Sequence, residues 1–320
     1  MKREINSIVM TGPTGVIGMA VINVCIKKKI RLLLITRKDS VRNVNIPESE
    51  YISVLHADAS EYDSLEVHKI SDGVNSFDAF IHLAWIGTTG DSRNNMELQT
   101  DNIKYTLSAV KLAHRFGCKI FMGAGSQAEY GRVEGYLSAQ TPAFPENGYG
   151  MAKLCAGQMS RILCEQLQMD HIWIRILSIY GPHDGEKTMV MSAIKSFLEG
   201  IQPAFTAGEQ KWDYLYSEDA AEIMVRLLQD GSSNKTYCIG SGRQRLLKEY
   251  IRDIYYTVNR IESIEVPDEK MGIGKVPYAL KQVMFLCADI TELEEDIGEI
   301  PYTPFEIGIV ETLKWYKSRA

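Results

Sequence analysis

With 320 residues, 45% hydrophobic and 24% charged, the chain is long enough to bury a sizeable core as one large domain or two intimate ones. A net charge of −6 leaves no electrostatic footprint for a nucleic acid backbone, so any anionic ligand must be met by local donors. No run of about 18 apolar residues is present to span a membrane.

Ile5 to Met10 is a short β-branched run, and Thr11-Gly12-Pro13-Thr14-Gly15-Val16-Ile17-Gly18 follows at once. Met19 to Ile26 then reads as a largely apolar helix. Strand, glycine turn and helix in that order are the context a dinucleotide site requires. Gly12 makes the tight turn, Gly15 lets backbone approach a pyrophosphate, and Gly18 lets helix pack closely on strand. The phosphates then meet free N–H groups at the helix N-terminus. Arg31 to Thr36 is the second strand, whose end faces the adenosine ribose. No carboxylate stands there; Arg37, followed by Lys38 and Arg42, is a candidate clamp for a 2′-phosphate, the alternative being a solvated basic loop. Tyr51 to His56 is a third strand. Asp58 after it is either a partner for an adenine amino group or the N-cap of a helix over Tyr62 to Ile70.

Phe77 to Leu83 is a fourth strand running into Ala84-Trp85-Ile86-Gly87. Met96 to Phe116 is a long helix on which Asn102 and Thr106 share a face. Lys119 to Met122, a fifth strand, delivers Gly123-Ala124-Gly125-Ser126. Strands alternating with helices at this rhythm mean βαβ units and a parallel sheet, with Ser126 at the carboxyl end of a central strand. Of sixteen tyrosines, Tyr149 alone has a lysine four residues on, Lys153. On a helix that spacing puts both side chains on one face. A neighbouring ammonium favours the phenolate, so the pair is a candidate proton donor and acceptor for a carbonyl or alcohol oxygen, with Ser126 holding the same oxygen. The plainer alternative is a surface pair on an amphipathic helix.

His171 to Ser178 is a sixth strand leading into Ile179-Tyr180-Gly181-Pro182. Thr188 to Leu198 is a helix, and Ser217-Glu218-Asp219 caps a helix over Ala220 to Leu228. Tyr237 to Gly240, Leu246 to Val258 and Phe305 to Lys317 read as strand, helix and closing helix. The six cysteines lack a CxxC spacing and read as reduced, mostly buried thiols of a cytoplasmic protein. The apolar run near the N-terminus is too short for a leader peptide.

Taken together, TGPTGVIG at 11–18, Asp58, His82 to Trp85, Ser126, Tyr130-Gly131, Tyr149-xxx-Lys153, Tyr180-Gly181-Pro182 and Ser217 to Ala220 resemble the extended short-chain dehydrogenase/reductase superfamily. The resemblance implies a Rossmann-type doubly wound parallel sheet with a smaller C-terminal α/β substrate-binding domain. The division expected is 1–179 with 211–239 returning to it, against 180–210 and 240–320. It implies Ser126, Tyr149 and Lys153 as a catalytic trio, and a bound nicotinamide dinucleotide: NADP(H) preferred from Arg37, NAD(H) the alternative. Cofactor contacts carried over are Thr14, Val16, Ile17, Ala59, Leu83, Ala84, Trp85, Asn102, Leu177 and Ile179, beside the glycines, Asp58, Tyr149 and Lys153. A nucleotide-sugar substrate is expected to meet Trp85, Gly87, Gln127, Glu129, Ser178, Trp212 and Tyr214; no metal, nucleic acid or membrane partner is. A homodimer through the helices bearing Asn102 and Tyr149 is also implied.

Dehydratases of this superfamily carry an acidic pair directly after the catalytic hydroxyl. Gln127 and Ala128 stand there, so elimination of water lacks its acid and base. Glu129, one residue on, is either a substrate contact or an exposed carboxylate. Ser178 stands where epimerases and dehydratases usually have Asn, and Trp212 where they have an Arg for the diphosphate; Lys187, Lys195 or Lys211 are the candidate substitutes. The run from Gly123 to Gly131 and that from Gly208 to Leu215 look closest to a branch with NADPH-dependent 4-keto reductases of deoxy sugars. The expected activity is that reduction. The rivals are a C4 epimerase with tightly held NAD and a non-catalytic dinucleotide sensor.

Overall fold

The computed structural model describes residues 2–67, 76–263 and 267–319. Its centre is a seven-stranded sheet, all parallel, formed by β1 (Ser7–Thr11), β2 (Arg31–Thr36), β3 (Ile52–His56), β4 (Ala79–His82), β5 (Ile120–Ser126), β6 (Asp170–Ile176) and β10 (Lys235–Ile239). The spatial order β10-β6-β5-β4-β1-β2-β3 reverses direction at β1 and β4, the topological switch point where open α/β sheets bind ligands. All of β1 and β4 is buried, as strands covered on both faces must be. β3, at the edge, buries none of its residues completely.

Helices cover both faces. On one, α1 (Val16–Lys27) and α5 (Ser217–Asp230) pack together over Ile8, Met10, Leu32 and Leu34. On the other, α2 (Met96–Arg115) and α3 (Gly148–Gln166) lie over Val9, Phe80 and Phe121 through Ala109, Val110 and Cys164. Five cysteines are buried and Cys155 is half-buried; none is in a disulfide.

The remaining elements make a second, aromatic layer. β7 (Ser178–Tyr180) pairs with β9 (Tyr214–Tyr216), and β8 (Lys211–Trp212) lies between β11 (Arg245–Leu246) and β12 (Phe285–Leu286). Against them pack α4 (Met189–Leu198), α6 (Leu247–Glu262) and α8 (Phe305–Lys317). α7 (Thr291–Ile297) joins the core beside α5. Phe305 is the hub, with ring centroids 4.6 Å from Tyr180 and 4.7 Å from Tyr250. Burying each such ring contributes about 1.5–3 kcal/mol.

Three expectations change. The run His171 to Ser178 is not one strand: β6 ends at Ile176, Leu177 donates its N–H to Ile239 O (2.9 Å), and Ser178 starts pairing with Tyr214 in another sheet. No helix starts at Tyr62; Ala59–Glu61 is a single 3-10 turn, Tyr62 to Ser64 continue as a turn, and residues 68–70 of that expected helix lie outside the described residues. α5 begins at Ser217 itself, with no side-chain cap. Asp219 is occupied elsewhere, accepting from Thr303 N (2.6 Å) and Thr303 Oγ1 (3.0 Å), which ties α5 to the segment before α8.

Candidate active site

A cleft of about 720 Å³ runs along the carboxyl ends of β1, β4 and β5 and continues under the loop after β7. Of the residues expected to bind, Gly12, Gly15, Val16, Ile17, Gly18, Leu83, Trp85, Ser126, Tyr149, Lys153 and Leu177 line it. Thr14 lines an adjoining pocket of about 370 Å³.

The glycine turn is shaped for a backbone approach. Gly12 sits at φ +69°, and a Cβ there would lie 2.6 Å from Ala84 N. A Cβ on Gly18 would lie 2.5 Å from Pro13 O, so helix and turn pack without a spacer. A Cβ on Gly15, in contrast, would meet no protein atom within 4 Å; it would project into open space beside the cleft. α1 has no side-chain cap and no acid in its first turn, so its leading N–H groups are free for an anion. A dinucleotide pyrophosphate fits these residues.

Ser126 is the last residue of β5, and a buried ion pair beneath holds it. Glu129, expected as a substrate contact or an exposed carboxylate, is 0% exposed and is neither. It accepts from Arg175 Nε (2.7 Å), Trp173 Nε1 (3.0 Å) and Ser126 N (2.8 Å). Gly125 leaves the room this takes: a Cβ there would overlap both Glu129 and Trp173. The glycines before Ser126 are thus a packing groove.

α3 starts with Asn147 Oδ1 accepting from Gly150 N (2.9 Å), which presents Tyr149 and Lys153 in successive turns toward the cleft. Both are buried rather than a surface pair, Tyr149 9% and Lys153 4% exposed. Their relation differs from the expected one. Lys153 Nζ donates to Ala124 O (2.6 Å), lies 3.7 Å above the Trp85 ring and is 5.8 Å from the Tyr149 ring centroid. Burial brings its pKa down to about 7. The Tyr149 phenol is held above its usual value, chiefly by burial, against the opposing effects of a hydrogen bond with Ser126 and of the Arg93 guanidinium. The nearer cation favouring the phenolate is Arg93, 4.3 Å over the ring, with Lys153 at 5.8 Å. Below Lys153, burial holds His82 near a pKa of about 3, neutral, between Thr11 Oγ1 (2.8 Å) and Thr106 Oγ1 (3.3 Å).

Several expected contacts support the site from outside the cleft. Asn102 accepts from Ile86 N (2.9 Å) and donates to Ile86 O (2.8 Å), fixing the Trp85–Gly87 backbone. Gln99 adds bonds to Trp85 Nε1 (2.9 Å) and Gly87 O (2.9 Å). Ala84 sits against Gly12, and Asp58 precedes the 3-10 turn that holds Ala59, its N–H donating to Glu61 Oε2 (2.7 Å). Arg37 is exposed and outside the cleft; Arg42 lines it instead, because the turn after β2 folds Val41–Asn45 back toward the glycine loop. Ile179 is in β7 and packs on the core beside α1 and α5. Gln127 opens the 3-10 turn after Ser126 and does not line the cleft. Trp212 Nε1 donates to Ser178 Oγ (2.8 Å), so these two hold each other. Tyr214 is packed among Tyr180, Tyr250 and Phe305, which takes it out of the cleft. Of the three lysines considered for phosphate, only Lys187 lines the cleft.

The sequence reading missed Arg93, Thr88, Thr89 and, in the loop that carries Lys187, His183 to Glu186 and Thr188, all at or beside the cleft. Asp184 in that loop is half-buried, and the loss of solvent pushes its pKa up to about 6. Among the described residues there is no metal-ligating cluster and no helix long and apolar enough to cross a membrane.

Comparison with known proteins agrees with this geometry. The family model described as "NAD dependent epimerase/dehydratase family" matches residues 8–240. The dTDP-4-dehydro-6-deoxyglucose reductase of Escherichia coli is 26% identical over 324 residues, spanning 98% of each chain. Among solved structures, the UDP-N-acetylglucosamine 4-epimerase of Methanobrevibacter ruminantium M1, in complex with UDP-N-acetylmuramic acid, superposes with a TM-score of 0.83 at 19% identity, over 99% of this chain and 100% of that one. The dTDP-glucose 4,6-dehydratase of Bacillus anthracis, in complex with NAD, gives 0.80 at 16% identity, over 98% and 96%.

Proposed function

The chain belongs to the NAD dependent epimerase/dehydratase family, enzymes of the extended short-chain dehydrogenase/reductase type, and on that premise we propose that it is an NADPH-dependent reductase of a 4-keto-6-deoxy nucleotide sugar. The observation that carries the reading is a buried phenol lining the cleft together with Ser126, held by burial in its protonated form at neutral pH. A reduction needs a proton donor in that state.

In this reading the leading N–H groups of α1 hold the pyrophosphate. Arg42, in place of Arg37, faces the ribose end and favours a 2′-phosphate. Bound reduced nicotinamide supplies hydride to the ketone carbon. Tyr149 gives its proton to the sugar oxygen, which Ser126 orients through its hydroxyl. Lys153, tied to Ala124 O, holds the dinucleotide ribose. Buried Ala128 and neutral Gln127 supply no acid for dehydration. Thr88, Thr89 and Lys187 face the sugar nucleotide where an Arg would otherwise meet the diphosphate. The substrate side comprises the two small sheets with α4, α6 and α8, while α5 and β10 return to the large sheet. Exposed Met96, Met151, Met159 and Ile162 on α2 and α3 suit the homodimer that the resemblance implies.

The test is an assay of the purified protein, stripped of dinucleotide, with NADPH or NADH and a panel of 4-keto-6-deoxy nucleotide sugars. Stoichiometric NADPH oxidation with formation of the 4-hydroxy sugar is expected. Retained NAD with C4 inversion and no net redox change would replace this reading by the epimerase, and binding of dinucleotide without turnover of any sugar by the sensor.

A further inference from the structure

The loop between β4 and α2 does more than wall the cleft. Its 3-10 turn, Gly90–Asn94, is clamped to the start of α3: Asn94 Oδ1 accepts from Gly148 N (3.0 Å), and a Cβ on Gly148 would lie 3.0 Å from Arg93 O. Gln99 holds the same loop through Gly87 O and Ser92 O (2.9 and 3.0 Å). Arg93 is thereby fixed relative to Tyr149. Its Nη1 donates to Thr88 O (3.1 Å), its Cζ stands 4.3 Å over the centre of the phenol ring, and among the described residues no carboxylate is ion-paired with it. Lys153, the other cation in reach, is committed to Ala124 O and the Trp85 face.

We propose that Arg93 is a positioning residue for the catalytic tyrosine: stacked on the ring, its guanidinium stabilises the charge that develops on Tyr149 as the proton passes from the phenol oxygen to the sugar oxygen. The inference rests on the reading of Tyr149 as the proton donor. A guanidinium over an aromatic face attracts a phenolate more strongly than a phenol, so it acts on the transition state more than on the resting enzyme. The other groups facing Tyr149 are accounted for. Ser126 lines the cleft beside the hydroxyl; Glu129, whose charge works against the phenolate, is paired with Arg175; Lys153 stands 5.8 Å from the ring centroid and is bonded to Ala124 O. Of the two cations over the ring, Arg93 is the nearer, at 4.3 Å against 5.8 Å for Lys153.

Three variants test it. Arg93→Gln keeps a donor for Thr88 O and removes the charge; Arg93→Lys keeps the charge; Arg93→Ala removes both. Two readouts are needed, the pH profile of kcat for ketone reduction, and the ionisation of Tyr149 in ligand-free protein by ultraviolet difference titration against Tyr149→Phe. Arg93→Gln and Arg93→Ala are expected to lower kcat about tenfold, leave the KM for dinucleotide unchanged, and move the phenol ionisation up by about one pH unit. Arg93→Lys should recover most of both. Equal losses in Gln and Lys variants with the ionisation unmoved would reduce Arg93 to a loop anchor, as would an ionisation beyond the alkaline limit of the fold in every protein. If no ketone is reduced even by the unaltered enzyme, the functional reading fails while the titration still decides the role of Arg93.

Discussion

The cleft and the aromatic layer packed beside it are two unlike sides of the molecule. On the dinucleotide side, charge is buried at a cost: Lys153 is held near a pKa of 7, His82 is kept neutral, and the Glu129–Arg175 pair lies beneath Ser126. On the other side, around β7, β9 and α8, the packing is aromatic, with Tyr180, Tyr214, Tyr216, Tyr250 and Phe305 in one cluster. The first side holds reactive groups in states they would not choose in water. The second supplies burial without charge. The contrast says where chemistry is done and where the stability that tolerates it comes from.

Breaking the first side should cost turnover before stability. Tyr149→Phe is expected to lower kcat by about 10² to 10⁴-fold, with dinucleotide affinity by fluorescence titration essentially unchanged. Retained turnover would remove Tyr149 from the mechanism. Stability should respond most when either side loses its central support. Glu129→Gln removes the charge paired with the buried Arg175 and leaves one oxygen for three donors, Ser126 N, Trp173 Nε1 and Arg175 Nε; it should cost about 3–5 kcal/mol in denaturant unfolding and lower kcat by loosening Ser126. Phe305→Ala should cost a similar ~3–5 kcal/mol yet raise only the KM for the sugar nucleotide. Should Phe305→Ala weaken dinucleotide binding equally, the two sides are not separable.

Lys153→Met sharpens the contrast through pH. The folded state holds this lysine near 7 while the unfolded chain leaves it at its usual 10.5, so folding expels a proton. The penalty is full below pH 7 and disappears as pH rises from about 7 to 10.5. The inactive variant should therefore be more stable than the parent below pH 7, by on the order of 5 kcal/mol, and the gap should close toward pH 10. A gap independent of pH would place its origin in packing. The smallest effect is expected from Trp212→Phe, which removes the bond to Ser178 Oγ. About 1 kcal/mol of stability and a few-fold rise in sugar-nucleotide KM should follow, with dinucleotide KM unmoved.

The same contrast explains what could be read from the residues alone. The glycine turn, β2, α8 and the Tyr149–Lys153 pair are local patterns: a strand run, a spacing, a helix period. β2 and α8 begin and end at the residues expected. The burial of Glu129 was not legible, because its partners Trp173 and Arg175 lie on β6, more than forty residues away. Nor was the break at Leu177, since His-Ile-Trp-Ile-Arg-Ile-Leu-Ser is continuous in β propensity and only the pairing of Ser178 with Tyr214 ends it. Arg93 sits in a polar loop whose composition predicts solvent. Only the docking of Asn94 on α3 turns it onto the tyrosine.

The placement of β10 beside β6 has a consequence for how the protein is made. β6 receives its outer partner only from Lys235–Ile239, which the ribosome delivers well after Asp170–Ile176. In the interval the outer edge of β6 offers unpaired N–H and C=O groups along an apolar strand, a template for another nascent chain. Demand for chaperones during synthesis is therefore expected to concentrate between these two segments, and a polypeptide released before Lys235 to aggregate where the complete one does not.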